Sequence, residues 1–121
     1  MSNRDSLAQI EEIIAKFSKA RDWDQFHTPK NLVMAATSEM GELAEVLQWK
    51  SDIETETFLQ TAEGKQQLSE EIADVVIYLI RLCQTTKIDL VEAITSKILL
   101  NEEKYPIDKS KGNAQKYDKL N

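Results

Sequence analysis

The chain has 121 residues, a formal net charge of −6, 41% apolar and 30% charged residues. Such proportions fit a single folded domain and exclude global disorder, while the acidic balance excludes the basic surface that duplex nucleic acid demands. With only three Gly and two Pro, there is room for long helices and little scope for an all-β fold of many turns.

Residues 4–21 place Leu7, Ile10, Ile13, Ile14 and Phe17 at the three-and-four spacing of an amphipathic helix. The stretch "RDWDQFHTP" breaks that pattern, and Phe17 and Phe26 read as core. Thr28 is a good N-cap with Pro29 at the first helical position, opening a second helix over about 30–50. The polar 51–64 segment reads as a loop with a short helical piece. A third helix covers 65–86. Asp89, with Glu92 three residues on, reads as a capping box that opens a fourth helix ending near 104, and Pro106 stops it. We expect one helical domain over 1–106 and a polar, flexible tail over 107–121.

Four helices without a strand signal predict an all-α bundle. Within the third helix, every residue of 72–83 except Asp74 and Arg81 is apolar, so it lacks a solvent-facing side. A helix of that kind needs cover, which predicts a homo-oligomer, dimer or tetramer. Cys83 reads as a buried packing residue in a reducing compartment. Asp5, Glu11 and Glu12 interrupt the amino terminus where a signal peptide needs an apolar run, and 72–83 is too short to span a bilayer. The expected location is cytoplasmic, with no membrane partner.

Two acidic pairs stand out because they lie on apolar faces. At about 100° per residue, Glu39 falls within about 60° of Leu32, Ala35, Ala36, Leu43 and Val46. Glu71 is likewise surrounded by Leu68, Val75, Tyr78 and Leu82. Glu39 with Glu42, and Glu71 with Asp74, are each spaced i,i+3 and share a face. If the two helices pack through these faces, four carboxylates meet, and each pair about 4 Å apart repels by roughly 4 kcal/mol at an effective dielectric of 20. Protonation relieves one or two groups. Pairing with Lys30, Lys50, Lys97 or Arg81 is a second solution, and would make the protein a non-enzymatic helical oligomer. A divalent cation answers the whole cluster. Oxygen donors alone suit Mg²⁺, with Mn²⁺ as a substitute, over Zn²⁺, and Mg²⁺ commonly serves phosphate chemistry.

The motif E-x-x-E, 28 intervening residues, then E-x-x-D resembles that of the all-α nucleoside triphosphate pyrophosphohydrolases of the MazG superfamily. The segments "RDWDQFHTPKNL", "SEMGELAEVLQWK", "LSEEIADVVIYLIRL", "SKILLNEEKYP" and "KYDKL" extend the resemblance over nearly the whole chain and point to its dCTP pyrophosphatase branch. The resemblance implies cleavage of dCTP or a modified dCTP between the α- and β-phosphates, giving dCMP and pyrophosphate in the service of nucleotide-pool sanitation. It also implies Mg²⁺ on Glu39, Glu42, Glu71 and Asp74, and a tetramer built from dimers. Glu39 or Glu42 is the expected acceptor of the attacking water's proton. Trp23 and Trp49 are candidates for stacking on the base, His27 for a base or sugar contact, and Tyr78 for packing on the sugar. Lys97, Asn101 and Lys104 form a candidate phosphate-facing stripe, with Lys104 where similar proteins often carry Arg. Sibling activities on dUTP, a broad range of NTPs or phosphoribosyl-ATP share the same acidic motif.

Overall fold

The computed structural model describes residues 6–120, and every regular element among them is helical. The expected helix start at residue 4 lies outside the described residues. Packing divides the chain into two units, Met1–Lys87 and Ile88–Asn121.

In the first unit, α1 (Leu7–Ala20) is capped by Ser6, whose hydroxyl accepts from the Gln9 N–H. A 3₁₀ turn, Asp24–Phe26, follows. The next helix, α2 (Pro29–Leu47), starts as expected, with Thr28 Oγ1 accepting from the Asn31 N–H at 3.2 Å and Pro29 in its first turn. The polar segment after it folds into α3 (Asp52–Gln60), a nine-residue helix opened by a reciprocal capping box between Ser51 and Glu54.

Thr61 then serves two helices. It is the C-cap of α3 and the N-cap of α4 (Ala62–Thr86), its hydroxyl accepting from the Gly64 N–H at 2.9 Å. This cap starts α4 three residues before the expected position. Gly64 is required there, because a Cβ would sit 2.1 Å from the Phe58 carbonyl oxygen. The far end of α4 closes on Lys87 in the left-handed conformation.

The spine of this unit is α4, which packs most extensively on α2 and also touches α1 and α3. Ile14, Leu32, Ala36, Val46 and Ile80 form the buried core. Two aromatic expectations fail: Phe17 is 48% exposed and Phe26 60%. Helical periodicity shows which side of a helix is apolar, not how much cover its neighbours supply. Cys83, expected to be buried, is only half-buried. Met34, Met40, Ile72, Val76 and Leu79 also remain exposed, so α2 and α4 keep apolar surface that this unit does not cover.

In the second unit, α5 (Leu90–Lys104) carries the forward half of the expected box, Asp89 accepting from the Glu92 N–H at 3.0 Å. Pro106 caps α6 (Ile107–Ser110), and a 3₁₀ turn spans Tyr117–Lys119. The Tyr105 and Tyr117 rings meet edge to face. No helix among the described residues is long and apolar enough to cross a membrane.

Candidate active site

The facing surfaces of α2 and α4 bring the two acidic pairs together. Glu39, Glu42 and Glu71 each present a carboxylate oxygen within 4.8 Å of the others. Glu39 and Glu71 are half-buried, and one oxygen of each, Oε2, is buried with no hydrogen-bond partner. A buried carboxylate oxygen left without a donor costs roughly 1–3 kcal/mol or more, a cost that a proton or a bound cation would relieve.

The electrostatics carry the same message. Glu42, close enough to share a proton with Glu39, is the main cause that pushes Glu39 up to about 7. Burial adds to this, and so do the charges of Glu42, Asp74 and Glu71. Burial raises Glu71 as well, followed by the charges of Glu42, Asp74, Glu70 and Glu45. Both ion pairs among the described residues, Lys16–Glu12 and Arg81–Asp24, lie outside the cluster. Arg81 and Lys50, two of the cations considered as partners for the glutamates, are engaged elsewhere: Arg81 with Asp24, and Lys50 with the Val46 carbonyl and the Phe58 ring. The donor set is therefore chemically suited to a hard divalent cation. Asp74 is not among the three converging carboxylates. It stands beside them, exposed, on the wall of the adjoining cleft, and its charge acts on both Glu39 and Glu71.

That cleft, about 340 Å³, is lined chiefly by apolar and aromatic side chains of α1, of α4 and of the residues flanking the 3₁₀ turn, with Glu39 and Asp74 at its acidic side. Trp23, His27 and Tyr78, the candidates for base and sugar contacts, all line it. Trp23 packs edge to face on Phe17 at 5.7 Å and on His27 at 6.3 Å. A second, polar cleft of about 350 Å³ borders the cluster and is lined by Glu42, Glu45, Val46, Gln67 and Glu71.

Other expected site residues are not brought there by this unit. Trp49 projects from the end of α2 with 87% of its surface exposed and lines neither cleft. Lys97, Asn101 and Lys104 are exposed on α5, in the second unit. There the Lys104 ammonium lies 4.9 Å from the centre of the Tyr117 ring. Conversely, Ile13, Ile14, Phe17, Ser18 and Arg81 line the first cleft without having been singled out as site residues. The apolar face of α1 was visible in the sequence, but only its docking on α4 turns that face into a pocket wall.

Comparison with known proteins shows the family. The profile of the MazG-like family matches residues 34–120. The chain is 43% identical over 115 residues to dCTP pyrophosphatase 1 of Mus musculus, an alignment covering 95% of this chain and 68% of that protein. It is 39% identical to dCTP pyrophosphatase 1 of Homo sapiens, with the same two coverages. The crystal structure of a pyrophosphatase from Archaeoglobus fulgidus superposes with a TM-score of 0.77 at 40% identity, covering 83% of this chain and 92% of that one. The profile includes α4 and α2 from residue 34 onward, the stretches that supply all four acidic residues, and the solved relative carries the same fold. This chain belongs to the MazG-like family.

Proposed function

We propose that the protein is a divalent-cation-dependent nucleoside triphosphate pyrophosphohydrolase that cleaves dCTP, or a modified dCTP, to dCMP and pyrophosphate. The observation that carries this reading is the convergence of Glu39, Glu42 and Glu71 within 4.8 Å, two of them with an unpartnered buried oxygen, beside an aromatic cleft. Relatives named dCTP pyrophosphatase 1 support the choice of dCTP.

Glu39, Glu42, Glu71 and Asp74 would hold the cation, Mg²⁺ by preference and Mn²⁺ as a substitute. When bound, it neutralises triphosphate charge and makes water a stronger acid. Glu39 or Glu42 then accepts the water's proton as the water attacks the α-phosphorus and pyrophosphate leaves. Of the two clefts bordering the cluster, the aromatic one suits a base, while the acidic one would accept a triphosphate only with its charge carried by bound divalent cations. Trp23 offers a face for the base, His27 a hydrogen bond and Tyr78 a surface for the sugar, while the polar cleft faces the phosphates. In the working enzyme we assign Lys97, Asn101 and Lys104 to phosphate binding and Trp49 to the base, as the resemblance implies. The exposed apolar surface of α2 and α4 supports a homo-oligomer. A cytoplasmic location and a domain ending near 106 complete the proposal.

The test is a panel of dNTPs, NTPs and phosphoribosyl-ATP incubated with Mg²⁺, with pyrophosphate and orthophosphate followed separately. Cleavage of dCTP to pyrophosphate ahead of dUTP and the other nucleotides is expected. Release of orthophosphate alone, or no cleavage at all, overturns the proposal, and a preference for another nucleotide reassigns the substrate.

A further inference from the structure

Among the described residues Arg81 is the most buried charged side chain, 7% exposed, and lies in the last third of α4. The guanidinium is held on three sides. Its Nη1 donates to Gln84 Oε1 at 2.8 Å, its Nη2 to Asp24 Oδ1 at 3.1 Å, and its Nε to His27 Nδ1 at 3.0 Å. Gln84 is anchored in turn, donating to the Glu11 carbonyl at 2.7 Å. The backbone of the turn is tied down separately, by Asn31 donating to the Phe26 carbonyl and His27 N–H to the Asp24 carbonyl.

The bond to His27 has a chemical consequence. Arginine can only donate, so Nδ1 must accept through its lone pair. The ring proton is then on Nε2, and an imidazolium would set N–H against N–H. Burial and the Arg81 charge both favour the neutral ring over the pull of Asp24. No other hydrogen bond engages the imidazole among the described residues, and His27 lines the aromatic cleft next to Trp23.

We propose that Arg81 is a positioning residue: through Nδ1 it locks His27 as a neutral Nε2–H donor, which reads a hydrogen-bond acceptor on the base edge of the substrate. A cytosine ring offers such acceptors at O2 and N3. The identity of the base rests on the function proposed above; the locked tautomer does not.

His27 is the single histidine of the chain, so long-range ¹H–¹⁵N spectra of uniformly labelled protein report its tautomer without assignment. At neutral pH the metal-free protein is expected to show one protonated nitrogen, Nε2, and one bare nitrogen, Nδ1. The Nδ1–H tautomer, or two protonated nitrogens, overturns the proposal. Arg81→Met is expected to mix the tautomers and raise the KM for dCTP roughly tenfold, leaving kcat within about threefold. An Arg81→Met protein with unchanged tautomer and KM also overturns it. If that variant does not fold, the parent spectrum still decides, together with a titration. A non-hydrolysable α,β-imido dCTP should move the Nε2 resonance, whereas inorganic triphosphate should not; equal shifts with both overturn the base contact. A locked tautomer in a protein that cleaves no nucleotide would instead refute the proposed function alone.

Discussion

Neutralising Glu39 should stabilise the metal-free protein above neutrality and remove its response to magnesium. Glu39 is carried from an ordinary 4.5 up to about 7. A shift of that size corresponds to at most about 3.4 kcal/mol, and solvent reaching this part-open cluster cuts the figure to roughly 1.5 kcal/mol. The sign follows from proton binding. Between 4.5 and about 7 the folded protein holds a proton that the unfolded chain has released, so this contribution falls as pH rises through that window. Below 4.5 both states hold the proton and nothing is lost. Glu39→Gln cannot acquire the charge. In EDTA, melting profiles of parent and variant should therefore coincide below about pH 4.5 and diverge toward about pH 8. There the variant should melt roughly 5–8 °C higher. Saturating Mg²⁺ near pH 8 reverses the order, because the parent gains about 2.7 kcal/mol at a concentration one hundred times the Kd and the variant gains little. Differential scanning calorimetry at one fixed protein concentration measures both arms. Parallel pH profiles, or equal stabilisation of both proteins by Mg²⁺, would refute the reasoning.

Glu71→Gln keeps the shape of α4 but removes one of the three converging charges, so pyrophosphate release should fall roughly 100-fold or more with the helical circular dichroism unchanged. Trp23→Ala removes the aromatic face of the first cleft. It should raise the KM for dCTP roughly ten- to a hundredfold, with kcat much less affected, in steady-state assays. Gly64→Ala drives a methyl group into the Phe58 carbonyl and should cost about 1–3 kcal/mol in urea unfolding. Gly41→Ala, where a Cβ meets nothing within 4 Å, should instead gain up to about 1 kcal/mol.

Much of this was written in local sequence. The caps at Thr28 and Asp89 were legible because a side chain and an amide three residues on settle them. Glu39 and Glu71 were legible because a charge in an apolar stripe contradicts the stripe, and protonation, a cationic partner or a bound metal must answer it. The box at Ser51 and Glu54 was hidden in a polar stretch whose helix is only nine residues long, too short for a periodic signal to build. Arg81 was visible as a cation in an apolar run, yet its partners Asp24 and His27 sit more than fifty positions away, and no pattern along a chain encodes a meeting at that range. Phe17 failed differently. Its face was read correctly, and its depth depended on how much of α1 the neighbouring helices cover.

The corner at Thr61 has no spare length. With one residue ending α3 and starting α4, adding or deleting a single amino acid there would turn one helix by about 100° against the other. Glu71 lies about three turns along α4, so the change would reach the phase at which its carboxylate meets α2. The joint itself should therefore behave as a fixed elbow, intolerant of any change in chain length.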